Sequence, residues 1–153
     1  MSNQVPILNS QFSPPSIREH FIHRRNLHKK LQLIPSFPVT IVYASAGYGK
    51  STGLSSYIQS VKMDVCWYSI TSYDTDLIPF LIKLIHSIRK INPTFGERVL
   101  KELHLVEYQV QEQEIWSFMA MIVNELSNFE PFILVLDDAH HFMESRTISK
   151  WIQ

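Results

Sequence analysis

Apolar residues along the chain fall into two kinds of run. Short stretches rich in β-branched and aromatic residues occur at 38–44 (PVTIVYA), 65–70 (VCWYSI) and 132–136 (FILVL), the composition of buried strands. Between them the apolar positions are spaced for helices. Leu54, Tyr57, Ile58 and Val61 recur at i, i+3, i+4 and i+7, predicting a helix that begins near Lys50. Leu77, Leu81, Leu84, Ile88 and Ile91 hold helical spacing until Asn92-Pro93 stops it, and Ile115, Phe118, Met119, Ile122, Leu126 and Phe129 form a third stripe. A shorter amphipathic piece covers 96–105, and a further helix is predicted over 17–32, broken before Pro35 and Pro38. Residues 1–16, with Pro6, Pro14 and Pro15, read as an irregular lead-in to one domain over 17–153. Strands alternating with helices predict an α/β fold, a parallel sheet flanked by helices.

At the first strand-to-helix junction stands ASAGYGKST, residues 44–52. Its end matches a phosphate-binding loop of the form G-x-x-x-x-G-K-[ST], but Ala44 takes the first glycine's place. The motif counts only between a strand and a helix, and both are predicted here. Gly47 and Gly49 lack a Cβ, so the chain can take positive φ and turn successive backbone N–H groups toward a phosphate. Lys50 supplies charge for the terminal phosphates and Ser51 a hydroxyl for Mg²⁺. The helix N-terminus adds its partial positive charge. Ala44 lies at the end of the strand, where a methyl group leaves the inner N–H groups undisturbed. The plainer alternative is a glycine-containing turn with a surface lysine.

A nucleotide site of this kind needs a second strand ending in carboxylates, and FILVLDD at 132–138 has that form. Five apolar residues without alternation predict a strand covered on both faces. Its C-terminal end is where open α/β sheets place ligands. Asp137 is then the candidate Mg²⁺ ligand, through water, and Asp138 the residue that orients or deprotonates an attacking water. Alone, the same stretch also reads as a buried strand followed by an aspartate turn. His140 and His141 follow, but neighbours on a strand or tight turn point apart, so a histidine metal site is disfavoured and His140 is expected to partner the carboxylates.

The chain has 153 residues, 45% of them hydrophobic and 18% charged, enough for one core and unlike a disordered segment. Formal net charge is zero, so no overall field draws it to nucleic acid or membrane. Charge is uneven, with Arg18, Arg24, Arg25, Lys29 and Lys30 crowded before the loop. That cluster reads as a solvated helix face rather than a nucleic-acid patch, with one member available to the nucleotide site. The lone Cys66 excludes an internal disulfide and fits a small core residue. With no targeting segment and no apolar run of bilayer length, a cytoplasmic location is expected.

SAGYGKST, VCWYSITSYDTDLIPFLIKLI and FILVLDDAHHF, in this order, resemble the start of MalT-like ATP-dependent transcriptional regulators of the STAND class of P-loop NTPases. The similarity covers most of residues 18–143. It implies a P-loop NTPase fold that binds ATP or ADP with Mg²⁺. Ser45, Ala46, Gly47, Tyr48, Gly49, Lys50, Ser51 and Thr52, with Ala44 before them, would wrap the phosphates. Ser51 and Asp137 would serve Mg²⁺, and Asp138 would face the γ-phosphate. Trp67, Ser69, Asp74 and Asp76 match the family's second-strand segment, whereas Thr71 replaces an aspartate and Ala139 an aromatic residue. Family members are far longer, and DNA is read through C-terminal regions outside this chain.

The resemblance therefore implies the nucleotide-binding part of a signal-responsive switch, hydrolysing ATP slowly and self-assembling in its ATP state, with no membrane partner. It also implies a sheet that is incomplete here, because a strand later in sequence belongs between 38–44 and 132–137. Two alternatives from other classes are a small metabolite kinase, which would need arginines in a lid between the loop and Asp137, and a binding module without turnover.

Overall fold

The computed structural model describes residues 5–17, 22, 24–105 and 111–141. Its elements are α1 (Arg25–Leu31), α2 (Lys50–Ile58), β1 (Val65–Ser69), α3 (Leu77–Ile88), α4 (Glu97–Leu105), α5 (Glu112–Leu126) and β2 (Ile133–Asp137), with 3-10 turns at Asn9–Phe12 and Ile34–Ser36. β1 and β2 form a two-stranded parallel sheet in which Val65 pairs with Ile133 and Ser69 with Asp137. Backbone bonds from Ile133 N to Asp64 O and from Ile70 N to Asp137 O, both 2.9 Å, extend the ladder at each end. The fold is mixed helix and strand, with helices on both faces of the sheet.

β1 divides the core. Cys66, Tyr68 and Ile70 pack with Phe12, α3, α4 and α5, while Trp67 packs with Ile133, Val135, Leu31 of α1 and Tyr57 of α2. Three consecutive buried residues make β1 the covered strand. Burial, with Asp64 adding to it, pushes the Cys66 thiol up to about 12. β2 differs from the sequence expectation, because only one of its faces is covered. Ile133 and Val135 are buried, but Leu134 and Leu136 on the opposite face are each 37% exposed. The reason is positional: among the described residues β2 has a partner strand on one side only, and the helices α3 to α5 pack over β1.

The predicted strand at 38–44 is corrected in the same way. It forms no ladder with any described residue, and Val39, Ile41 and Tyr43 are 75%, 85% and 94% exposed. Only Val42 of its larger side chains packs on the core beside Trp67. A strand is stable through its neighbours' hydrogen bonds and side chains, and none lies beside this segment among the described residues.

The helices begin and end where local chemistry dictates. Pro79 sits in the first turn of α3, where its missing N–H has no intrahelical acceptor to lose. Gly96 opens α4 at φ 65, and a Cβ there would lie 2.6 Å from Ile85 Cγ2, so both backbone conformation and packing require glycine. The helix predicted over 17–32 is shorter: α1 spans 25–31, and residues 18–21 and 23 lie outside the described residues. The lead-in is more structural than its prolines suggest. Phe12 is buried against Tyr68 at a ring separation of 5.9 Å, and Pro15 O accepts a 2.7 Å bond from the buried Ser55 of α2.

A buried ion pair closes the C-terminal end of β1. Asp74, wholly buried, accepts bonds from Thr71 N at 2.8 Å, Thr71 Oγ1 at 2.9 Å and Gln11 Nε2 at 3.2 Å, and pairs with Lys83 of α3. Gln11 also donates to Ser69 O at 3.2 Å, which ties the lead-in to the strand end. Thr71, where the resembled pattern has aspartate, thus supplies donors in place of a second carboxylate.

Candidate functional site

The segment 44–52 forms an exposed loop that enters α2. Gly47 has φ 80 and Gly49, which caps α2, has φ 70. A Cβ on either would meet nothing within 4 Å, so the demand for glycine is conformational rather than steric. Tyr48 N reaches Ser45 O at 3.4 Å, closing the turn, and Gly53 N donates to Gly49 O at 2.9 Å to start the helix. Tyr48 itself is exposed at the tip.

Lys50 folds back over the loop. Its Nζ donates to Ala44 O at 2.8 Å and to Ser45 O at 3.2 Å. Those carbonyls satisfy the ammonium group, and a phosphate oxygen in the loop would compete for the same N–H donors. On the far side, Ser51 donates to Asp137 Oδ1 at 2.8 Å, a contact between residues 86 apart in sequence. The end of β2 thus lies at the start of α2, and the two side chains read from sequence as Mg²⁺ ligands meet directly.

Asp137 is half-buried, and burial holds its carboxyl above the ordinary aspartate value. The neighbouring Asp138 charge adds to the rise, while the bonds from Ser51 and from Asp138 N (3.1 Å) and the charge of Lys50 oppose it. Asp138 is exposed and stands at φ 56, a left-handed conformation uncommon outside glycine. His140 Nδ1 lies 3.9 Å from Asp138 Oδ1, a loose approach on the surface.

The two histidines do not point apart as expected from their adjacency. Residues 140 and 141 lie in a helical turn, and their rings lie 4.2 Å apart at 35°. Among the described residues no group of three or more His, Cys, Asp or Glu side chains is placed to hold a metal ion. Mg²⁺ bound with a nucleotide needs less, since one or two protein oxygens suffice when phosphates and waters complete the shell. A carboxylate hydrogen-bonded to a hydroxyl beside this glycine-containing loop is chemically suited to that role.

Other sequence candidates lie elsewhere. Asp74 is occupied by its ion pair and has no exposed surface, and Asp76 precedes α3 on the surface. Trp67 Nε1 donates to Ser69 Oγ at 2.8 Å, a contact within the sheet. Sequence reasoning did not single out Arg24, whose guanidinium donates to Tyr48 O at 3.0 Å. The only signal for it was membership of the basic cluster. Among the described residues no helix is long and apolar enough to cross a membrane.

No family model matches the chain. The chain is 28% identical over 110 residues to proteins called serine/threonine-protein kinase PknK from Mycobacterium tuberculosis and Mycobacterium bovis. That match takes in 70% of this chain and 10% of theirs, so the chain spans about a tenth of the length of these curated relatives.

Proposed function

We propose that this chain is an ATP- or ADP-binding P-loop NTPase unit of a MalT-like, signal-responsive regulator, working as a nucleotide switch with slow hydrolysis. The observation that carries the reading is the Ser51 to Asp137 bond at 2.8 Å beside a loop whose glycines hold positive φ and whose Lys50 donates to the loop carbonyls of Ala44 and Ser45. Residues 44–52 supply backbone N–H groups and the α2 N-terminus to the phosphates, and Lys50 exchanges Ala44 O and Ser45 O for phosphate oxygens. Ser51 and Asp137 are the residues that would hold Mg²⁺, which neutralises phosphate charge when bound. Asp138, exposed beside that pair, would orient water at the terminal phosphate. Signal input and DNA recognition belong to other parts of a longer polypeptide.

Kinase activity, which the name of the mycobacterial relatives states, is not carried by this stretch. A protein kinase places its lysine on the strand after the glycine loop, whereas Lys50 follows Gly49 directly. A metabolite kinase of the P-loop type would need arginines in a lid between the loop and Asp137. Arg89 instead donates to Phe95 O at 2.7 Å, and Arg98 pairs with Glu102 at 3.3 Å on α4. Titration of a fluorescent ATP analogue with and without Mg²⁺ tests the reading. Ser51→Ala should abolish most of the Mg²⁺-dependent gain in affinity and leave the Mg²⁺-free affinity in place; an unchanged Mg²⁺ effect would count against it.

A further inference from the structure

Helix α1 is fastened along α2 in a fixed register. Leu27 lies over Gly53, where an added Cβ would come within 2.8 Å of Leu27 Cδ2. One residue on, the His28 ring stands edge-on to Tyr57 at 5.8 Å, and His28 Nε2 lies 3.1 Å from Ser60 Oγ. Leu31 is buried in the cluster that holds Tyr57 and Trp67. Progress along α1 thus follows progress along α2, so the residue one turn before Leu27 and His28 falls beside the start of α2. That residue is Arg24, and its guanidinium donates to Tyr48 O at 3.0 Å.

The contact governs one peptide plane. No peptide bond among the described residues is cis, so the carbonyl of Tyr48 and the N–H of Gly49 lie in one plane and point in opposite directions. Gly49, at φ 70 and ψ 36, is free to rotate this plane, because glycine has no Cβ to resist other conformations. A cation holding the carbonyl on one side keeps the N–H on the other. We propose that Arg24 is a positioning residue of the phosphate loop: it clamps the Tyr48 carbonyl so that the Gly49 N–H stays presented to a polyphosphate on the opposite face. The inference rests on the nucleotide reading above and adds a residue from outside the loop to that site.

The test compares wild type, Arg24→Ala, Arg24→Lys and Lys50→Ala by calorimetric titration with Mg²⁺ and either ATP or inorganic tripolyphosphate. One exposed hydrogen bond corresponds to about two- to tenfold in affinity. Arg24→Ala should weaken both probes by the same factor in that range. Arg24→Lys, which keeps one charged donor, should restore most of the loss, and the nucleotide-free unfolding temperature should not change. Wild-type affinity in Arg24→Ala, with both probes lost in Lys50→Ala, would overturn the clamp and leave the nucleotide reading standing. Wild-type affinity in Lys50→Ala would overturn both. A lowered unfolding temperature shared by Arg24→Ala and Arg24→Lys would assign Arg24 to the packing of α1 and overturn the clamp.

Discussion

Replacing Lys83 by methionine removes a charge from the best-enclosed polar cluster in the molecule. The Lys83 and Asp74 side chains are 5% and 0% exposed, so their ion pair is screened from water. Methionine keeps most of the lysine stem, and packing within α3 is retained. What is lost is the counter-charge. Breaking a buried pair from one side costs about 3–5 kcal/mol, because the remaining charge is left uncompensated. Asp74 keeps three neutral donors, from Thr71 N, Thr71 Oγ1 and Gln11 Nε2. These solvate part of the carboxylate, which places the expected loss near about 3 kcal/mol.

For a domain of this size that corresponds to a fall in unfolding temperature of about 6–12 °C. Asp74→Asn in the same background removes the stranded charge and brings an amide donor toward a cluster that holds the unpartnered Gln11 Oε1. The double variant should recover at least half of the loss. Circular dichroism melts and urea titrations of the three proteins measure both quantities. A cost below about 1 kcal/mol for Lys83→Met, or a double variant as unstable as the single one, would refute the claim that a buried, charged carboxylate pins the lead-in and the turn after β1.

Two further outcomes follow from the site and the sheet. Burial and then the Asp138 charge raise the Asp137 carboxyl, so the stability tied to its proton is present below the unfolded value and lost as pH rises through the folded one. Under the proposed function Mg²⁺ would need the ionised form and would be released as pH falls through that raised value. Asp138→Asn should move the acid limb of Mg²⁺-dependent nucleotide binding to lower pH, keep affinity at neutral pH, and abolish hydrolysis; titrations across pH that show the limb unmoved would contradict this. A longer polypeptide carrying the strand that the resemblance places between 38–44 and β2 should melt more cooperatively, aggregate less and bind ATP more tightly than residues 1–153. Size-exclusion chromatography and melts with and without ATP would contradict this if both chains were equally monodisperse and bound equally.

The covered elements were legible because their burial is set by their own spacing. α2, α3 and α5 lie where apolar stripes placed them, and β1 and β2 where β-branched and aromatic runs did. Ser51 and Asp137 meet although 38–44 is not a strand, because the chain entering α2 and the end of β2 lie side by side. The misread features depend on neighbours. PVTIVYA has a strand's composition, but composition cannot supply a hydrogen-bonding partner, and Leu134 and Leu136 are exposed for the same reason. Gln11 and Phe12 sit among prolines and carry no periodic signal, yet they fill the end of β1. Arg24 is one of several basic residues, and its bond to Tyr48 O, set by the packing of α1 along α2, is what distinguishes it.

Calorimetric titration of ATP with Mg²⁺ into wild type and Lys50→Ala tests the central claim most directly. Lys50 Nζ, now held by Ala44 O at 2.8 Å and Ser45 O at 3.2 Å, makes a charge-assisted contact to phosphate in this account. Such a contact is worth about 1.5–3 kcal/mol, or roughly ten- to more than a hundredfold in affinity. Wild type should bind saturably, and Lys50→Ala should lose affinity by that factor. Equal affinities, or no binding by a folded wild-type chain, would contradict it.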